Sequence, residues 1–132
     1  MESFARQFNT DIAFIRKSRH FETTQINDVI GNVKGQHVII YDDMTRSAGT
    51  LISAAEKYLE CGALSVYAIL SHLALNSPEI VDKIEKSPIM QLLATNSHPM
   101  SQHPRVKACS KIKILDVSPV YARVIQDHLL TE

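Results

Sequence analysis

The chain has 132 residues, 45% of them hydrophobic, with fourteen basic residues against fourteen acidic ones and a formal net charge of zero. That length suits a single domain spanning 1–132, large enough to bury a core. The charge balance argues against a general nucleic-acid surface, and no apolar run approaches a membrane span. No signal peptide is read at Met1, and Cys61 and Cys109 are too far apart for a CxxC pair. Both are expected to be reduced thiols in a cytoplasmic protein.

In chain order, Glu2 to Phe8 reads as a short helix and Asp11 to Ile15 as a strand. Arg16 to Asp28 is polar without a clear period, which predicts a solvated basic loop. Gly31 to Gly35 is turn chemistry, and His37 to Asp42 is a β-branched run expected to be the central buried strand. Leu51, Ala55, Tyr58 and Leu59 follow the spacing of a helix with one apolar face, and Gly62 stands where that helix needs a left-handed cap. Leu64 to Leu70 is a second strand. A helix follows with Ser77 as its expected N-cap and Pro78 at its first position, ending at Ser87-Pro88. Ile89 to Thr95 is a further strand, and Asn96 to Ser110 a loop carrying His98, His103 and Cys109. Their spacing fits no standard metal site. Ile112 to Val117 is the last strand. The terminal helix after Ser118-Pro119 puts Tyr121, Val124, Ile125, His128 and Leu129 on one face. Strands alternating with helical patterns predict an α/β fold, a parallel sheet with helices on both faces.

The chemistry concentrates after the strand at 37–42. Asp42 and Asp43 stand at its carboxyl end, followed by Arg46, Ser47, Ala48, Gly49 and Thr50 and then a helix. Ligands of open α/β sheets bind beyond the carboxyl ends of strands. There a small-residue turn, its hydroxyls and a helix N-terminus accept a phosphate. The two carboxylates cannot hold that phosphate, but as acceptors they suit the neighbouring hydroxyls of a ribose. The residues alone thus describe a candidate ribose 5-phosphate site.

The same stretch, Asp-Asp-x-x-x-Ser-x-Gly-Thr behind an apolar strand, resembles the PRPP loop of type I phosphoribosyltransferases and of ribose-phosphate pyrophosphokinases (PRPP synthetases). The flanking words favour the second. Val29-Ile30-Gly31-Asn32-Val33-Lys34-Gly35, Cys61-Gly62-Ala63, Val66-Tyr67-Ala68, Asn76-Ser77-Pro78-Glu79-Ile80, Thr95-Asn96 and Lys111 to Leu115 follow that family's order. The resemblance runs from about Phe4 to the end and covers the C-terminal half of such an enzyme. It implies a phosphoribosyltransferase-like fold, here expected to lack its first strand and pyrophosphate loop.

By this resemblance Asp42 and Asp43 face the ribose hydroxyls, and Arg46, Ser47, Ala48, Gly49 and Thr50 form the 5-phosphate cradle. Lys17 and Arg19 fall on the two cations of a mobile catalytic loop, although Arg16 replaces its usual aspartate and Ser18 the intervening arginine. Arg46 stands where many relatives carry an acid, and Ser47 where they carry threonine. The implied reaction transfers diphosphate from ATP to ribose 5-phosphate, giving PRPP and AMP. Mg²⁺ would be its cofactor, held mainly by the substrates rather than by a protein site. The resemblance further implies a homo-oligomer, with no nucleic-acid or membrane partner, and a chain weakly active or inactive by itself. Two alternatives stay open: a type I phosphoribosyltransferase that consumes PRPP, and a non-catalytic PRPP-synthetase-like subunit.

Overall fold

The computed structural model describes residues 5–7, 9–20 and 23–129, with the side chains of 16–20 and 23–28 outside that description. Strand β1 (Phe14–His20) pairs antiparallel with β2 (Thr23–Ile30) in a two-stranded sheet, the register slipping between Arg16 and Lys17. A strand was expected only to Ile15, with a loop through Asp28. Hairpin pairing runs through the backbone and needs no apolar period, and the threonines, isoleucines and valine of 23–30 are good strand formers. Gly31 then turns the chain at φ +113°, where a Cβ would stand 2.8 Å from the Ile12 carbonyl oxygen. Only glycine fits that approach.

The main sheet is parallel, in the order β3 (His37–Thr45), β4 (Ser65–Leu73), β5 (Ile89–Thr95), β6 (Ile112–Leu115). The crossovers are α1 (Gly49–Glu60), α2 (Ile80–Lys86), and a 3₁₀ turn at Pro99–Gln102 followed by α3 (Pro104–Ala108). Helix α4 (Ser118–Leu129) follows β6. Because strand order matches chain order, right-handed crossovers bring α1, α2 and α3 to the same face. The expected parallel α/β sheet is therefore present, but the crossover helices cover one face rather than both. Strand β3, expected at the centre, is an edge of this sheet among the described residues.

The core lies under those helices. Val66, Ala68 and Leu70 of β4, Leu92 and Ala94 of β5 and Ile112 of β6 meet Leu51, Ala55 and Tyr58 of α1, Ile80, Val81 and Ile84 of α2, and Val106 of α3. Full burial of each Leu, Ile or Val contributes about 1.5–3 kcal/mol. Alternation sends Ile39 and Tyr41 of β3 to the other side of the sheet, where both are exposed.

Helix α1 ends in a complete Schellman pattern. The Ala63 N–H donates to the Tyr58 carbonyl at 3.1 Å and the Gly62 N–H to that of Leu59 at 2.9 Å, with Gly62 at φ +90°. Helix α2 starts differently from expectation. Its entry is a run of i→i+3 bonds from Ile80, Val81 and Asp82 to the carbonyls of Ser77, Pro78 and Glu79. The Ser77 hydroxyl bonds the Glu79 carboxylate instead of capping an N–H. That bond above all holds the Glu79 carboxyl below the usual range.

Candidate functional site

The candidate site forms where β3 gives way to α1. Val38 and Ile40 pack towards the core, whereas Asp42, Asp43 and Met44 are exposed as the strand ends. Thr45 turns inward, and its hydroxyl accepts the Ala48 N–H at 3.2 Å, which folds the turn back on itself. Ala48, almost fully buried, lies in the left-handed region at φ 60°. That conformation costs a non-glycine residue about 1–2 kcal/mol, so the surrounding turn holds it there. Helix α1 starts from this point with no side-chain cap and no acidic residue in its first turn. Its positive end is thus left to whatever enters the turn.

Each carboxylate uses one oxygen on the backbone after it: the Asp43 N–H donates to Asp42 Oδ1 at 2.9 Å, and the Met44 N–H to Asp43 Oδ1 at 2.7 Å. These bonds fix both side chains and leave a second oxygen on each to accept from a ligand hydroxyl. The turn itself is open. A Cβ built on Gly49 would have only Ser47 Oγ within 4 Å, at 3.6 Å, so a larger residue would project into the space before the helix. Ser47 Oγ accepts a long bond from the Gly49 N–H at 3.4 Å. Arg46 is anchored at two points by Asn76 of the β4–α2 connection: Arg46 Nε donates to Asn76 Oδ1 at 3.2 Å, and the Asn76 N–H to the Arg46 carbonyl at 2.9 Å. Arg46 is otherwise exposed.

Asp42, Asp43, Arg46, Ser47, Ala48, Gly49 and Thr50 therefore meet at one mouth. Lys17 and Arg19 lie on β1 of the separate hairpin, and their side chains fall outside the described residues. A divalent cation fits this mouth only in part. Two carboxylate oxygens fall short of the six ligands of Mg²⁺, so phosphate and water oxygens would complete the shell. Among the described residues no three His, Cys, Asp or Glu side chains gather as a metal cluster.

The histidines of the 96–110 segment have structural work. His98 Nδ1 accepts the Met100 N–H and His103 Nδ1 the Arg105 N–H, both at 3.2 Å, as N-caps of the 3₁₀ turn and of α3. The pattern His-Pro at both positions, 98–99 and 103–104, was the available signal, since proline favours the first helical position. Asn76 and Thr45 were also not singled out as site residues, because each acts on groups that only the folded turn brings close.

The fold and this mouth define an α/β crossover protein whose ligand end lies beyond the carboxyl termini of parallel strands. The family described as a phosphoribosyl synthetase-associated domain matches residues 7–130. The chain belongs to that family. Its relatives include a ribose-phosphate pyrophosphokinase of Caldanaerobacter subterraneus, 37% identical over 123 residues that make up 92% of this chain and 38% of that protein. The ribose-phosphate pyrophosphokinase of Clostridium acetobutylicum is 35% identical over 93% of this chain and 38% of its own length. The structure resembles phosphoribosylpyrophosphate synthetase from Mycobacterium smegmatis with a TM-score of 0.81 and 25% identity, covering 99% of this chain and 41% of that one. The chain thus spans well under half the length of the relatives it matches.

Proposed function

We propose that this chain is the ribose 5-phosphate/PRPP-binding domain of a ribose-phosphate diphosphokinase. In that reaction the C1 hydroxyl oxygen of ribose 5-phosphate bonds to the β-phosphorus of ATP as the bond to the α-phosphate breaks, giving PRPP and AMP. The observation that carries the reading is the pairing of two backbone-anchored, exposed carboxylates with an uncapped helix entrance free of acidic side chains. The first accepts hydroxyl hydrogens and the second attracts a phosphate. Asp42 and Asp43 orient the sugar, and residues 46–50 seat its phosphate. Lys17 and Arg19 meet the charge that spreads over the transferring group.

Mg²⁺ enters with the substrates, neutralising phosphate charge. The protein is cytoplasmic and works as a homo-oligomer, with weak or no turnover by this chain alone. Among the described residues no helix is long and apolar enough to cross a membrane.

Calorimetric titration with ribose 5-phosphate and, separately, inorganic phosphate tests the reading. Asp43→Asn should weaken ribose 5-phosphate by roughly tenfold or more, the scale of a hydrogen bond to a charged group, and leave phosphate unaffected. Gly49→Val should weaken both. A wild-type chain that binds no ribose 5-phosphate, or an Asp43→Asn variant that binds it equally well, would defeat the proposal.

A further inference from the structure

The carboxyl ends of β4 and β5 carry a polar network beside this mouth that the proposed reaction does not use. His72, exposed near the end of β4, is paired by strand register with Met44, the residue directly after Asp43. Its Nδ1 lies 2.6 Å from Ser97 Oγ. Ser97 Oγ is 2.7 Å from Thr95 Oγ1 and 3.1 Å from the Ser71 carbonyl oxygen, and Thr95 Oγ1 is 2.6 Å from that same carbonyl. The Ser97 N–H also donates to Thr95 Oγ1, at 3.2 Å.

One pattern of hydrogens places a separate hydrogen in every short contact of this network. The carbonyl of Ser71 has none to give, so its short contact takes the Thr95 hydroxyl hydrogen. Thr95 Oγ1 can then only accept, and the 2.7 Å contact takes the hydrogen of Ser97. Ser97 has no second hydrogen, so the contact with His72 is made by Nδ1–H. If Ser97 donated to His72 instead, the one Thr95 hydroxyl hydrogen would have to be shared between the Ser71 carbonyl and Ser97 Oγ. In the first pattern the neutral ring is the Nδ1–H tautomer, with its lone pair on Nε2.

We propose that His72 is a further ligand-binding residue of the β3–α1 mouth, its Nε2 accepting a hydrogen from a sugar hydroxyl of a phosphorylated pentose. The assignment rests on the function proposed above. Adjacent parallel strands lie about 4.8 Å apart, so the register sets His72 beside the step that follows the two carboxylates. An unprotonated Nε2 can only accept, and a phosphate dianion has no hydrogen to offer it, so the sugar is the part of the ligand it can hold. Ser97 and Thr95 are positioning residues that aim the ring and set its tautomer.

The test is calorimetry at mildly alkaline pH with ribose 5-phosphate and with inorganic phosphate, together with ¹⁵N–¹H spectra of the histidine rings. His72→Ala should weaken ribose 5-phosphate roughly five- to tenfold, the scale of one hydrogen bond, and leave phosphate affinity unchanged. His72→Gln, which sets an amide oxygen near the position of Nε2, should recover most of that loss. The wild-type spectrum should show His72 as the Nδ1–H tautomer, and Ser97→Ala should shift it towards Nε2–H with a smaller loss of affinity. An Nε2–H tautomer in the wild type overturns the assignment, as does equal ribose 5-phosphate affinity in His72→Ala. Parallel loss of phosphate affinity does so too, since it would make the residue an anion contact or a structural one. If the wild type binds no ribose 5-phosphate, the proposed function fails and takes this assignment with it. If it binds and His72→Ala binds equally, this assignment alone fails.

Discussion

Helices α1 and α4 have the same length, 12 residues, and both carry an apolar stripe, yet they sit in the molecule in opposite ways. Leu51, Ala55 and Tyr58 of α1 are buried against β4 and β3, and the helix ends in a full set of capping bonds. In α4 no residue is buried, and Val120, Tyr121, Val124, Ile125 and Leu129 are 60–67% exposed. The difference is one of what holds each element. Apolar burial fastens α1 to the sheet, whereas α4 is attached at its root by a polar clasp. There Asp116 Oδ1 accepts from the Ser118 N–H at 2.9 Å and from Asn96 Nδ2 at 2.6 Å, while Asn96 Oδ1 accepts the Val117 N–H at 3.1 Å.

The sharpest way to break this contrast is to cut the same number of atoms from each side. Leu51→Ala, on the buried face of α1, should cost about 2–5 kcal/mol in denaturant unfolding, the cavity left behind included. Ile125→Ala should fall within about 0.5 kcal/mol of the wild type. A comparable cost at both positions would mean that the face of α4 is covered in solution.

A middle-sized effect probes the caps that replace burial in the short crossover. His103→Ala removes the acceptor for the Arg105 N–H and should cost about 1 kcal/mol. His103→Asn, which keeps an acceptor at the cap, should stay close to the wild type in the same unfolding measurement.

The smallest effect concerns the clasp under α4. The Ser118 side chain, then the Ser118 backbone N–H and the Asn96 amide, hold the Asp116 carboxyl below its ordinary value of 3.8. A lowered folded pKa means that this contribution is present above the unfolded-state value and is lost as pH falls through the folded one. The stability gap between the wild type and Asp116→Asn should therefore be steady at neutral pH and shrink in acid below about 3.8. A gap that instead closes near neutrality would remove the clasp from the account.

These tests also show where sequence reading succeeds. The spacing of Leu51, Ala55 and Tyr58 located both the helix and its buried face, because one residue's direction on a helix follows from geometry alone. The turn from Asp42 to Thr50 was legible for a similar reason: its residue types are local and chemically specific. The same spacing rule found the stripe of α4 but carried no information on whether anything lies against it. The hairpin of β1 and β2 escaped notice because backbone pairing leaves no periodic trace in a polar run. His98 and His103 were weighed in the sequence only as metal ligands, whereas each is committed to a backbone N–H two residues further on. Strand order lies beyond any local signal, so the edge position of β3 could not be read from the composition of that strand.

The sequential arrangement of β3, β4, β5 and β6 bears on how the chain reaches this state. Among the described residues, β4, β5 and β6 each dock on the strand synthesised just before them, so each loop closure is short and no distant segment must be threaded between these strands. Loop-closure entropy grows with the length enclosed, and parallel sheets that need long-range pairing fold slowly for that reason. Assembly of this half of the molecule can proceed one βα unit at a time from the amino-terminal side, each unit stabilising the next.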